Sequence, residues 1–70
     1  MANNVVAVRN SRNMTIGWCR EFADRIIATH FKKGVVGHYL KGNDTTIDKS
    51  GRIYCYGDGT QTLIREADKE

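Results

Sequence analysis

Apolar residues recur along this chain at two different spacings, and each spacing predicts an element. Asn4 to Arg9 holds a Val-rich run (Val5, Val6, Ala7, Val8) that is too short for an isolated helix and reads as a β-strand. From Thr15 to Lys33 the apolar positions are Ile16, Cys19, Phe22, Ala23, Ile26, Ile27, His30 and Phe31, the three-and-four spacing of one helix face. Asn13 or Thr15 is a suitable N-cap, Lys32 and Lys33 suit a helix C-terminus, and Gly34 suits the position just beyond it. The spacing therefore predicts a long amphipathic helix over 15–33, with Trp18 as a partly buried anchor near its start.

After Gly34 the period shortens to two. Val35 to Lys41 reads as a strand, Gly42-Asn43-Asp44 as a turn, and Thr45 to Asp48 as a short extended piece. Asp48 to Gly51 reads as a tight turn and Arg52 to Gly57 as a further strand. Asp58-Gly59 is a strong two-residue hairpin signal, so Thr60 to Glu66 is predicted to return as the last strand, with Ala67 to Glu70 a frayed tail. The resulting expectation is an α+β domain spanning 1–70. It has one amphipathic helix packed on a three- to four-stranded antiparallel sheet, in the order β-α-β-β-β.

That topology names a surface. A hairpin at Asp58-Gly59 pairs Tyr54 with Leu63, Tyr56 with Gln61 and Arg52 with Arg65 on one side of the sheet, and puts Ile53, Cys55 and Ile64 on the other. One helix covers one face, so the first set is expected to lie open. Tyr54, Tyr56, Arg52, Arg65, Leu63 and Gln61 are accordingly the candidate partner-binding residues, since Tyr and Arg dominate interface hot spots.

Composition narrows the chemistry. The 70 residues carry 11 Lys+Arg and 8 Asp+Glu, for a formal net charge of +3. The basic excess lies in residues 1–41, seven bases to two acids, whereas 42–70 hold four bases and six acids. On a 15–33 helix, Arg20, Glu21, Asp24 and Arg25 make a neutral solvent face, a poor phosphate-binding stripe. The apolar run at Val5–Val8 is too short for a secretion signal, and nothing approaches a membrane span. Cys19 and Cys55 are far apart and read as free thiols of a reducing cytoplasm.

No catalytic set stands out. Cys19, His30, His38 and Cys55 lack the close-spaced pairs that structural zinc sites use, so no metal or other cofactor is expected. Gly57-Asp58-Gly59 has no predicted helix behind it to hold a phosphate, and Asp44, Asp48 and Asp58 each suit a local turn. His38 is the one candidate acid or base, which keeps a small ribonuclease as a minor alternative.

The expected function is non-enzymatic: a stoichiometric modulator or inhibitor of a protein partner, in the manner of small phage or mobile-element proteins, acting through the open face. The runner-up is an RNA or single-stranded DNA binder, with Tyr54 and Tyr56 stacking on bases and Arg52 and Arg65 meeting phosphates. Ordering 70 residues costs roughly 100 kcal/mol at about 1.5 per residue, which a core this small barely offsets. Bare strand edges add a route to a homodimer.

Overall fold

The computed structural model describes residues 4–69. It contains six strands, β1 (Asn4–Arg9), β2 (Thr15–Glu21), β3 (Arg25–His30), β4 (Gly34–Leu40), β5 (Thr45–Asp48) and β6 (Ile53–Tyr56), followed by one helix, α1 (Thr60–Asp68). The strands form a single sheet in sequence order, each antiparallel to the next. The β-α-β-β-β expectation is thus overturned twice: 15–33 is a hairpin, and the helix is at the C-terminus.

Segment 15–33 turns back on itself at Ala23-Asp24, where the Phe22 amide donates to the Arg25 carbonyl at 2.7 Å. β2 and β3 then pair from Glu21–Ile26 to Gly17–His30. Thr15, Ile16, Ile26, Ile27 and Thr29 are β-branched, and their stiff side chains pack better on a pleated surface than on a helix. The apolar three-and-four spacing arises because both faces of this hairpin carry apolar residues, which masks the alternation of each strand.

Segment 60–68 is helical because Thr60, Leu63, Ile64 and Ala67, spaced for one helix face, all find cover. The Asp58-Gly59 hairpin does not form. Instead the Asp58 carboxylate accepts from the Thr60 amide and hydroxyl at 3.1 and 2.6 Å, closing an Asx turn that leads into α1. Ala67, expected in a frayed tail, is buried in the core; Glu70 lies outside the described residues.

The core is the layer between α1 and strands β1 to β4, built from Val8, Ile16, Cys19, Ala28, Val36, Leu63, Ile64 and Ala67. Two glycines on the helix side of the sheet let the helix approach. A Cβ on Gly17 would lie 2.8 Å from Cγ2 of Ile64, and one on Gly37 would fall on Cδ2 of Leu63. Leu63 and Ile64 therefore each have a seat of their own on the sheet.

Polar groups tie the ends of the helix to the sheet. At its start, the buried Thr46 hydroxyl donates to the Gly57 carbonyl at 2.7 Å and accepts from the Gly59 amide at 2.8 Å. At its end, buried His30 faces Asp68 at 2.9 Å through Nε2, while Nδ1 accepts from the amides of Lys32 and Lys33 at 3.1 and 3.3 Å. Two donors on Nδ1 place the ring proton on Nε2, so His30 donates to Asp68. The Lys33 ammonium also donates to the Ala67 carbonyl.

Candidate functional site

A nine-residue helix is only about 13 Å long and lies on one side of the sheet. Among the described residues, none forms a layer on the opposite side. Its contents follow from the register, because paired residues of neighbouring strands share a face. One row crosses all six strands: Val5, Arg20, Ile27, His38, Ile47 and Ile53. Beside it run Ala7, Trp18, Thr29 and Val35 on one flank, and Arg25, Leu40, Thr45 and Tyr56 on the other.

This face is apolar where it is most exposed. Val5 is 49% exposed, Trp18 40%, Val35 55% and Ile53 57%. Around Trp18 the surface sinks into a shallow depression of about 550 Å³, lined by Val5, Trp18, Arg20, Phe22, Ile27, Thr29 and Val35. A contiguous uncovered patch of this kind, centred on a tryptophan and an arginine, has the composition of an interface hot spot.

The residues expected to form the site are dispersed. Leu63 is buried under α1, and Tyr54 is half-buried against the core, on the helix side. Gln61 and Arg65 lie on the outer surface of α1, where the Arg65 guanidinium donates to the Arg9 carbonyl at 3.3 Å. Arg52 stands exposed before β6, with its amide on Asp48 at 3.1 Å. Only Tyr56, 78% exposed, is on the open face, at its far corner. Tyr54 and Tyr56 thus do not form a common stacking platform, and the expected pairs Tyr54–Leu63, Tyr56–Gln61 and Arg52–Arg65 do not exist.

Trp18 and Arg20 are the residues that sequence reasoning placed elsewhere. Assigned to a helix, Trp18 became an anchor and Arg20 part of a neutral stripe. The alternation Gly17, Cys19 against Trp18, Arg20 was the available signal, small residues inward and large ones outward.

Cys19 and Cys55 are both free, and His30 and His38 lie on opposite sides of the sheet. Among the described residues, no three of His, Cys, Asp and Glu gather as a metal site would require. Burial pushes the Cys19 thiol above its ordinary pKa despite a hydrogen bond with Thr60, which keeps it protonated and unreactive.

The acidic side chains serve the turns and rims. Glu21 meets the Lys41 ammonium at 2.7 Å, and this contact first, then Asn4, holds its carboxyl below the usual range. Asp24 is lowered mainly by its hydrogen bond with Arg25, and Asp48 mainly by the Ser50 hydroxyl, then the Arg52 amide. A carboxyl with a depressed folded pKa stabilises the fold above its unfolded pKa and loses that contribution as pH falls through the folded value. The melting temperature should therefore hold from neutral pH to about 4.5, the ordinary Glu value, and decline below it. Glu21→Gln should reduce the decline in melts recorded between pH 3 and 7; an undiminished slope would remove Glu21 from the account.

No protein-family model, curated protein sequence or solved structure matches the chain. No helix among the described residues is long and apolar enough to cross a membrane.

Proposed function

We propose that this chain is a non-enzymatic binding protein, a stoichiometric modulator or inhibitor that engages a protein partner through the open face of its sheet. One observation carries the reading: Trp18, Val5 and Val35 line an uncovered depression on a side of the molecule that α1 does not reach. Burying such side chains on a partner contributes about 25 cal/mol for each Å² of apolar area removed from water, an incentive that solvent exposure leaves unused. The scaffold beneath is hydrogen-bonded sheet, so the depression is pre-formed and little ordering cost is added on binding. The free thiols Cys19 and Cys55 agree with a cytoplasmic setting.

The test is capture from the native host with tagged protein, comparing wild type with Trp18→Ala, with and without nuclease. A partner that survives nuclease and is lost from Trp18→Ala is the expected outcome, with affinity lowered roughly 30-fold or more for a hot-spot residue worth at least 2 kcal/mol. Equal capture by both proteins would refute a site at Trp18. Capture abolished by nuclease would favour RNA or single-stranded DNA as the partner.

A further inference from the structure

Among the described residues, Arg20 is the only charged side chain lining the Trp18 depression, and no described carboxylate answers it. Glu21 is held by Lys41, Asp24 by Arg25, Glu66 by Lys69 and Asp68 by His30. Asp44 accepts from the Tyr39 hydroxyl, while Asp48 and Asp58 close turns. The three rows of the open face contain Arg20, Arg25 and His38 but no Asp or Glu. Trp18 and Arg20 stand two residues apart on β2, so their Cα atoms lie about 7 Å apart and their side chains share one surface.

Building on the open-face reading, we propose that the depression receives an acidic segment of the protein partner. The segment would seat an apolar side chain against Trp18, Val5 and Val35, and set a carboxylate against the Arg20 guanidinium. Arg suits this role because its planar fork binds a carboxylate through two parallel hydrogen bonds. Against low-dielectric walls that pairing gains more than it would in open water.

Other occupants fit the charges less well. A second copy docked face to face would bring a second unanswered Arg20 to the same surface, and the three rows of the face offer it no acid. Nucleic acid would find few free cations here: Arg25 is matched by Asp24, and Lys41 by Glu21 at the rim. Arg20, and Arg9 at the end of β1 beside Asn13, support a salt dependence of about two released counterions, below the several that sustain phosphate-backbone binding.

The experiment is selection of short random displayed peptides on the intact protein, followed by titration of the enriched peptides. The emission of Trp18, the single tryptophan of the chain, reports occupancy of the depression directly. The expected winners carry Asp or Glu beside a large apolar residue and shift Trp18 emission. They should bind Arg20→Gln about tenfold or more weakly, as expected when a hot-spot contact is removed. A parallel selection on Arg20→Glu should enrich Lys or Arg instead. Winners that shift Trp18 but lack acids, or that bind Arg20→Glu undiminished, would overturn the acidic segment and leave the open face as the site. Winners that leave Trp18 emission unchanged and bind Trp18→Ala equally well would overturn both readings, as would a selection that enriches nothing.

Discussion

Gly37→Val is expected to destabilise the fold by about 3 kcal/mol or more, the upper end of what overpacking costs. Gly37 lies in the middle of β4, between Ala28 of β3 and Asp48 of β5. A Cβ there would fall on Cδ2 of Leu63 and on the carbonyl oxygen of Ile47, with the Cα of Asp48 at 3.1 Å. The Leu63 methyl is the end of a side chain and can turn aside. The Ile47 carbonyl belongs to the neighbouring strand and can move only by disturbing the β4–β5 ladder. Overpacking of a formed core costs about 1–3 kcal/mol, occasionally more, and the carbonyl offers no cheap relief. The whole fold has about 4–10 kcal/mol to lose, so a loss of this size removes a large share of its stability. Far-ultraviolet circular dichroism and urea titration would check this, with Gly42→Ala as the control because nothing lies within 4 Å of a Cβ there. A Gly37→Val protein as stable as the control would mean that β4 does not lie against β5 as described.

Ile64→Ala is expected to cost 2–5 kcal/mol, the range for truncating a buried aliphatic side chain. Ile64 is 0% exposed, and its Cγ2 lies over the seat left by Gly17. Truncation removes the contacts of a fully covered side chain and leaves a void that the sheet, tied strand to strand, cannot collapse to fill. The urea midpoint should fall while the slope of the transition stays the same, because the surface exposed on unfolding hardly changes. An effect below 1 kcal/mol would show that the helix contributes little and that the meander is stable without it. Trp18→Ala is the informative contrast: it faces solvent on the other side of the sheet, so its loss should be read in binding far more than in stability.

What hid β2 and β3 from a reading of the sequence is closely connected with the candidate site. An ordinary half-buried strand alternates apolar and polar positions. Here the outward positions include Trp18, Ile27 and, on the next strand, Val35, so the two faces together reproduced a helical spacing. The hairpin turn at Ala23-Asp24 has no Gly, Asn or Pro to mark it. The error at 60–66 has another cause. Asp58-Gly59 is a sound hairpin signal locally, but the same aspartate can close an Asx turn that leads into a helix, and only the covered set Thr60, Leu63, Ile64 and Ala67 decides between them.

The local chemistry of the chain determined β1, β4, β5 and β6 to within a residue or two, together with the turns at 42–44 and 48–51, because short-range alternation and turn residues act over a few positions. It also determined that the cysteines have no near neighbours in sequence. Which face of the sheet is covered was decided only by tertiary structure. Helix or hairpin at 15–33, and helix or strand at 60–68, differ little in local preference. The difference is made by Leu63 and Ile64 settling over Gly37 and Gly17, contacts between residues far apart in the chain. That choice turned Trp18 and Arg20 outward together.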